Sequence, residues 1–328
     1  MPSTIAVIQV KPGIGDVIWH LPFIRAIAAQ SPGGAVMFLA PPTSGAKELL
    51  AAEQSISETI YFEHGGSEFK RGVNLIKLTA LLRRHRFHAV WILDRTLRPA
   101  LAAALAGTPQ RIGLGLGAQK LFITNPGIDR RHFHDQPIDW LRSLMAAMHV
   151  PLSSTEPGLR LSAATLASVG ERFKDYPRPW LVLGIGASHP DKDWPDSYWA
   201  EFLAGLRAPG TVFLIGGMAN RTRAQAMLAG NVGATTVNAC DLTLGEAAAL
   251  LHHADLFVGT DSGPMNLAVA TSTEAFALFG STPVLNYSKF IHAIAPPGGP
   301  SADGMRRILP ADVLERVAPY LALRKVRE

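Results

Sequence analysis

The sequence ADLFVGTDSGPMNLAVA, residues 254–270, joins an apolar strand pattern directly to a helix pattern. Asp261 or Ser262 can cap that helix, and Pro264 fits its first turn. The unpaired N–H groups and the positive dipole end of such a helix can hold an anion such as a diphosphate. An ordinary capped helix is the alternative interpretation, but it does not account for the two further glycine-rich turns described below.

The same strand–turn–helix alternation extends through the rest of the chain. Strand patterns occur at 5–10, 35–40, 59–62, 89–94 and 111–113, and again at 180–184, 211–215, 236–238, 256–259 and 275–279. Helix patterns occur at 17–29, 45–52, 73–84 and 98–106, and again at 196–206, 221–228, 244–253 and 263–270. This alternation predicts an α/β protein with two Rossmann-like, doubly wound domains and a ligand cleft between them.

Pro- and Arg-rich flanks around a helical piece place the linker between the two domains at 151–179. We therefore predict an N-terminal domain over 1–160 and a C-terminal domain over 161–310. A final helix falls within 311–328, and it could pack back on the N-terminal domain.

Composition excludes several classes of protein. The chain has 328 residues, of which 48% are apolar and 17% charged, and this composition is too apolar for a disordered protein. One cysteine, Cys240, excludes a disulfide framework and a cysteine-cluster metal site, and a buried thiol is its simplest role. With no signal-peptide pattern and no long apolar segment, a cytoplasmic protein is expected. The net charge of +5 suits an anionic partner, but no nucleic-acid-binding motif is present.

A glycine turn also follows the first strand pattern, in KPGIGDVIWHLP at 11–22. Gly13 and Gly15 allow a tight turn and a close approach to the backbone. The spacing matches neither the dinucleotide fingerprint nor the P-loop. Asp16 could be the N-cap of the next helix, or a general base at the carboxyl end of a strand.

Two further turns follow strands of the second half. In GIGASHPDKDWP, 184–195, Ser188 and Lys192 supply the hydroxyl and the point charge that suit a phosphate. A solvated loop with Trp194 packed as an anchor is the alternative. In FLIGGM, 213–218, Gly216, Gly217 and Met218 could line a base or ribose pocket, or form a plain strand–helix turn.

Taken in this order, the GIGDVI, KDWP and GTDSGPMNLAVA segments, with QRIG at 110–113, resemble glycosyltransferase family 9, which includes the bacterial lipopolysaccharide ADP-heptose heptosyltransferases. The resemblance extends over nearly the whole chain. It implies the GT-B architecture and an inverting transfer of heptose from ADP-heptose to a lipopolysaccharide core sugar, without a metal or another cofactor. It also implies that the N-terminal domain binds the acceptor and the C-terminal domain binds the nucleotide sugar.

By the same resemblance, Asp16 is the base that deprotonates the acceptor hydroxyl. The residues implied at the donor phosphates are Ser188, Lys192, Asp261, Ser262 and Gly263. Asn266 stands on the donor side where many members have histidine. The segment 220–223, Asn-Arg-Thr-Arg, lacks the acidic residue that often binds ribose in this family.

Two rival hypotheses stay open at this point. One is another GT-B enzyme, either with a different sugar nucleotide or a 2-epimerase, and the other is a non-catalytic sugar-nucleotide-binding protein. A basic cluster at 83–86, Arg-Arg-His-Arg, is typical of a solvated helix end. It would also suit a phosphorylated lipid core at the inner surface of a membrane.

Overall fold

The computed structural model describes residues 4–129, 131, 136–187, 189–206, 210–229 and 235–325. The chain forms two compact units, Met1–Pro157 and Gly158–Glu328. The division lies inside the segment 151–179 that the sequence indicates as the linker. The helix Ala163–Phe173, which lies within this segment, belongs to the second unit.

The first unit is built on a five-stranded parallel sheet in the order β3-β2-β1-β4-β5. Its strands are β1 (Ile5–Ile8), β2 (Val36–Ala40), β3 (Ile56–Tyr61), β4 (Ala89–Ile92) and β5 (Gln110–Ile112). Its helices are α1 (Ile14–Ala28), α2 (Ala46–Leu49), α3 (Glu68–His85), α4 (Leu97–Leu105) and α5 (Pro137–Ala147).

The second unit is built on a six-stranded parallel sheet in the order β11-β10-β9-β6-β7-β8. Its strands are β6 (Trp180–Gly184), β7 (Thr211–Ile215), β8 (Thr235–Asn238), β9 (Leu256–Thr260), β10 (Ala275–Leu278) and β11 (Ile291–Ile294). Its helices are α6 (Ala163–Phe173), α7 (Asp196–Gly205), α8 (Arg221–Ala229), α9 (Leu244–His253), α10 (Gly263–Ala270) and α11 (Pro310–Lys325).

Strand composition explains the burial of both sheets. The strands β4, β6 and β9 are buried at every position and contain no polar residue except Thr260 at the end of β9. Such continuous apolar runs are typical of parallel strands that helices cover on both faces. This burial confirms the prediction of two doubly wound α/β layers.

The strand order creates one switch point in each sheet. In the first unit the chain runs from β1 outward to β3 and then returns to the other side of β1 as β4. In the second unit it runs from β6 outward to β8 and returns as β9. Ligands of open α/β sheets bind at the carboxyl ends of the two strands that flank such a point.

The C-terminal helix α11 packs within the second unit. Val313, Val317 and Leu321 lie in the core cluster that also contains Trp199 and Phe202 of α7. Its buried face contacts α7 of the second unit, and packing on the first domain, which the sequence raised as a possibility, stays a prediction.

Two anchors of the second core bear on the sequence analysis. Trp194 is fully buried, stacks edge-on against Trp199 at 4.8 Å between ring centroids, and donates to the Ile308 carbonyl at 2.9 Å. Cys240 is also fully buried, and burial raises the pKa of its thiol to about 11. Both side chains therefore have the packing roles that the sequence offered as their simpler interpretations.

Within the described residues, no helix has both the length and the apolar character that crossing a lipid bilayer requires.

Candidate functional site

Asp16 lies in the first turn of α1, directly beyond the carboxyl end of β1. The N-cap of this helix is Gly13, so the interpretation of Asp16 as the N-cap is wrong. Asp16 is the third helical residue, and its carboxylate folds back over the turn and accepts a hydrogen bond from the Gly13 N–H. A Cβ on Gly13 would lie 2.7 Å from Oδ2 of Asp16, so a side chain at this position would displace the carboxylate. Gly15 is the second residue of the same turn.

Burial raises the pKa of the Asp16 carboxyl above its usual value of 3.8. The Lys11 ammonium, 3.4 Å from Oδ1, and the Gly13 N–H act in the opposite direction, while the charge of Asp94 raises the pKa further. Burial outweighs the lysine because the ammonium itself is substantially solvated, with 44% of the Lys11 side chain exposed. A carboxylate with a raised pKa has a higher proton affinity and is a stronger base.

Asp94 stands at the matching position after β4, across the switch point from Asp16. Its Oδ2 accepts from the Val10 N–H at 3.1 Å, and its Oδ1 accepts from the Thr96 N–H at 2.7 Å. The first bond joins the ends of β1 and β4, and the second fixes the turn after β4. The sequence analysis did not single out this residue, although it ends the predicted strand 89–94 as Asp16 follows the strand 5–10.

His20 lies one turn after Asp16 on α1 and is held in one tautomer. The side-chain nitrogen of Gln9 donates to the Lys11 carbonyl at 3.0 Å, so Oε1 of Gln9 faces Nδ1 of His20, at 2.6 Å. An amide oxygen only accepts, so Nδ1 carries the proton. Burial, together with the charge of Lys11, lowers the pKa of His20 to about 3. The imidazole is therefore neutral and adds no positive charge beside Asp16.

These groups line a pocket of about 310 Å³ inside the first unit. Trp19, on α1, and Trp140, on α5, supply aromatic walls. The Arg95 guanidinium lies over the Trp140 ring, 5.8 Å from its centroid. Carboxylates, aromatic faces and one arginine are the lining that a polyhydroxylated, negatively charged molecule would meet here.

At the switch point of the second unit, Lys192 and Asp261 form a short ion pair. The Nζ of Lys192 lies 2.7 Å from Oδ2 of Asp261 and 3.4 Å from its carbonyl oxygen. The Thr282 hydroxyl donates to the same Oδ2 at 2.8 Å. Lys192 ends a short 3₁₀ turn after β6, and Asp261 directly follows β9, as the sequence predicts.

The N-terminus of α10 carries an unpaired hydroxyl beside this ion pair. Ser262 is the N-cap, its side chain makes no capping hydrogen bond, and its Oγ is buried with no partner among the described residues. Pro264 occupies the first turn, and Gly263 begins the helix. The N–H groups of a first helical turn have no partner inside the helix. An anion held by them would also satisfy the hydroxyl of Ser262.

Asn266 is occupied inside the second unit. Its side-chain nitrogen donates to the Ser262 carbonyl at 2.8 Å, and its oxygen accepts from the Tyr287 hydroxyl at 2.6 Å. These bonds hold the turn that precedes α10. The direct donor contact that the resemblance implies for Asn266 stays a prediction.

The glycine pair Gly216–Gly217 follows β7 and forms a turn that the Asn220 side chain stabilises. Gly217 has a φ of +71°, a conformation that favours glycine, and the Asn220 side chain donates to the Gly216 carbonyl at 2.7 Å. Met218 is 62% exposed, so its side chain is accessible to a ligand. The pocket for a base or ribose predicted here stays a prediction.

Arg223 stabilises the loop that carries Lys192. The sequence analysis named it only within the segment 220–223, which lacks the acidic residue often found in the family. The Arg223 guanidinium contacts the carboxylates of Asp193 and Asp196 and donates to the Ile185 and Trp194 carbonyls. Ser188, predicted at the donor phosphates, lies outside the described residues. Among the residues that are described, no group of three or more His, Cys, Asp or Glu side chains could hold a metal ion.

The sequence analysis also missed Thr282 and Tyr287, which both lie beyond β10. The signal for Thr282 was available, because it follows the predicted strand 275–279 and polar residues after parallel strands share one edge of a sheet. Tyr287 lies in an irregular segment, where no periodic pattern indicates which way a side chain points.

Comparison with known proteins places these features in a family. The profile of glycosyltransferase family 9 (heptosyltransferase) matches residues 75–294. The solved structure of the Escherichia coli ADP-heptose lipopolysaccharide heptosyltransferase II is similar, with a TM-score of 0.76 and 22% identity over 98% of this chain and 99% of that one.

Two further solved structures have the same fold. A family 9 glycosyltransferase from Veillonella parvula has a TM-score of 0.79 and 18% identity over 98% of this chain and 97% of that one. The Escherichia coli heptosyltransferase WaaC, solved with ADP-2-deoxy-2-fluoro heptose, has a TM-score of 0.72 and 16% identity over 96% and 99%. No curated protein sequence matches the chain.

Proposed function

Because the chain belongs to glycosyltransferase family 9 and has the GT-B fold of two parallel-sheet α/β domains, we propose that it transfers heptose from ADP-heptose to a lipopolysaccharide core or a related glycan. In this proposal the transfer inverts the anomeric centre and needs no metal. The second unit binds the donor and the first unit binds the acceptor. The observation that carries the proposal is that one unit has a carboxylate of raised pKa at its switch point and the other has a helix N-terminus with an unpaired buried hydroxyl.

In the proposed mechanism, Asp16 takes the proton of the acceptor hydroxyl as that oxygen attacks the anomeric carbon. The bond to the donor phosphate oxygen breaks on the opposite face, and the nucleoside diphosphate leaves. Burial supports this role because it raises the proton affinity of the carboxylate. Neutral His20 supports it too, because an imidazolium one turn away would lower that affinity.

Charge on the leaving diphosphate is met by Lys192 and by the first turn of α10. Asp261 is itself an anion, so we assign it the task of holding the Lys192 ammonium, with Thr282 fixing the shared oxygen. Ser262 donates its unpaired hydroxyl to a phosphate oxygen. Asn266 and Tyr287 hold the turn on which this hydroxyl lies. Ser188, Gly216, Gly217 and Met218 are proposed further donor contacts on the resemblance alone.

The remaining parts of the proposal concern the setting. The enzyme acts in the cytoplasm on an acceptor that a lipid anchors at the inner face of a membrane. The family and the basic character of the first unit support this setting.

The test is a transfer assay with the full chain, ADP-heptose and a lipid-free core acceptor. The proposal predicts release of ADP together with a new glycosidic bond whose anomeric configuration is opposite to that of the donor, as NMR reads it. Competition by ADP, GDP and UDP then tests the base. Preference for UDP, or retention of configuration, contradicts the proposal.

A further inference from the structure

Helix α3 of the first unit has an apolar stripe on the side away from its core. Leu78 and Leu82 are the buried residues of this helix. At 100° per residue, Phe69, Val73, Ile76 and Ala80 fall together on the opposite side. Phe69 is 81% exposed and Ile76 is 69% exposed. Large apolar side chains at such exposure form a surface that the fold of the first unit does not cover.

Cations border this stripe. Lys70, Lys77 and Arg84 lie along one side of it, and Arg83 lies on the other; all four are exposed. The helix contains one acidic residue, Glu68, at its start. The outer side of α3 is therefore apolar in the middle and positive at both margins. We call this set of eight apolar and basic residues the α3 face.

A shallow groove of about 560 Å³ continues the α3 face toward the end of α4. Ile76 and Ala80 line it from α3, and Leu105, itself 51% exposed, lines it from α4. The Arg83 guanidinium donates to the Leu105 carbonyl at 2.7 Å and so joins the two helix ends. The apolar surface is thus wider at this end, and arginines stand at its rim.

We propose that the α3 face docks on the surface of an anionic lipid bilayer. Helices that lie in the plane of a membrane interface carry aromatic and aliphatic residues on one side with Lys and Arg beside them. The apolar stripe of α3, with Lys70, Lys77 and Arg84 along one margin, fits this pattern. The centre of a protein–protein interface, by contrast, is depleted of lysine.

The position of α3 in the sheet makes the docking useful to the enzyme, and here the inference rests on the proposed function. Strands β1, β3 and β4 are parallel, so their carboxyl ends share one edge. Helix α3 begins shortly after β3, at the edge where Asp16 and Asp94 line the pocket. A membrane against α3 would bring lipid-anchored acceptors to the pocket edge of the first unit.

The test is flotation of the full chain with vesicles of phosphatidylglycerol in phosphatidylcholine, compared with vesicles of phosphatidylcholine alone. The wild type should bind the anionic vesicles and release them at high salt. Phe69→Ser with Ile76→Ser should weaken binding roughly tenfold or more, because both side chains lose their burial in lipid. Lys77→Glu with Arg84→Glu should weaken it by at least roughly 25-fold, since the loss of each cation costs about fivefold and the new carboxylates are repelled by the anionic surface.

The matched control is Leu309→Ser with Arg316→Glu, which makes the same kinds of exposed change in the second unit and should bind vesicles like the wild type. Circular dichroism checks that every variant is folded. Equal binding to both kinds of vesicle, or unchanged binding by both α3 variants, overturns the inference. So does a wild type that ignores vesicles but forms a dimer that the α3 variants lose, because the face would then bind a second copy.

A separate readout keeps the inference distinct from the proposed function. Transfer to the lipid-free acceptor should be unaffected by the α3 variants, because no residue of the face lines the pocket. If the wild type binds anionic vesicles through this face but transfers no sugar, the proposed function fails while the docking surface is established. If it transfers sugar but the α3 variants still bind vesicles fully, the docking inference alone fails.

Discussion

The two units share one topology but place different chemistry at the switch points of their sheets. Beyond β1 and β4 the first unit has the half-buried carboxylate of Asp16, the buried carboxylate of Asp94 and a neutral histidine around an aromatic-walled pocket. Beyond β6 and β9 the second unit has a held ammonium, a helix N-terminus and an unpaired serine hydroxyl. The carboxyl edge of the parallel sheet thus holds a proton acceptor in the first unit and groups suited to binding an anion in the second. The local side chains, and not the topology, determine this division.

The largest effect should come from the proton acceptor. Asp16→Asn keeps the volume of the side chain and its hydrogen bond from Gly13 but removes the base. A positioned base contributes about 10²- to 10⁴-fold, so kcat should fall by that factor while ADP binds as before. Asp312→Asn, at the equivalent first-turn position of α11, is the control and should keep full activity. If Asp16→Asn lost ADP affinity by as large a factor as kcat, the assignment of donor binding to the second unit would be contradicted.

The same substitution should stabilise the fold at neutral pH. A pKa raised in the folded state means that the charged Asp16 carboxyl costs folding free energy above that pKa. Thermal unfolding should therefore give a higher Tm for Asp16→Asn at pH 7, and the gain should vanish below pH 3.8, where both states of the wild type are protonated. A lower Tm at pH 7 would show that the Lys11 contact outweighs burial.

Lowering the pH should reduce the folding stability of the first unit, because the buried His20 is neutral in the folded state. The unfolded histidine binds a proton below about pH 6.5, but the folded one does so only below about pH 3. Stability is therefore lost as pH falls through this window, by roughly 5 kcal/mol at most. The midpoint of urea unfolding of His20→Gln should depend less on pH between these values than that of the wild type. His149→Gln, at an exposed histidine, should follow the wild type.

In the second unit, Lys192→Ala should weaken binding of ADP about tenfold to a hundredfold. The ammonium is a charged partner of the phosphates, and hydrogen bonds to charged groups contribute about 1.5–3 kcal/mol. Lys174→Ala removes an exposed lysine that pairs with Glu171 and is the control. Calorimetry measures both affinities. An unchanged dissociation constant for Lys192→Ala would place the diphosphate elsewhere.

Ser262→Ala should have the smallest effect, and it should lower the affinity for ADP without lowering the stability of the free protein. Binding of ADP should weaken about tenfold, because one hydrogen bond from a hydroxyl to a charged phosphate is lost. The free protein should lose no stability, because the buried hydroxyl has no partner to leave behind. Ser44→Ala is the contrast: its buried hydroxyl donates to the Pro41 carbonyl at 2.6 Å, so its removal should destabilise the fold without affecting ADP.

The sequence predicted the architecture because apolar strands and helix periodicity are local signals. The helix predicted at 98–106 is α4, and the glycine that ends it, Gly107, has a φ of +77°. Helix α3 begins five residues before its predicted start, since Ser67 caps it through the Lys70 N–H and the first turn is polar. Strand β11 and helix α5 were missed because the first follows an irregular stretch and the second begins beside residues without a clear period.

The site was predictable where it follows a strand and unpredictable where it depends on partners. Lys192 and Asp261 lie together because both follow strands that flank one switch point. That Asp261 binds the lysine, and that Asn266 is satisfied by Tyr287, depends on segments 20 residues or more apart in sequence, which no local pattern connects. The meeting of the two edges across one cleft stays a prediction.

Hydrogen–deuterium exchange of the full chain with and without ADP tests the division between the units most directly. The account predicts slower exchange in the turns around Lys192 and Ser262, and unchanged exchange in the turn that carries Gly13 and Asp16. Protection of the Gly13–Asp16 turn by ADP, with none at the start of α10, would contradict it.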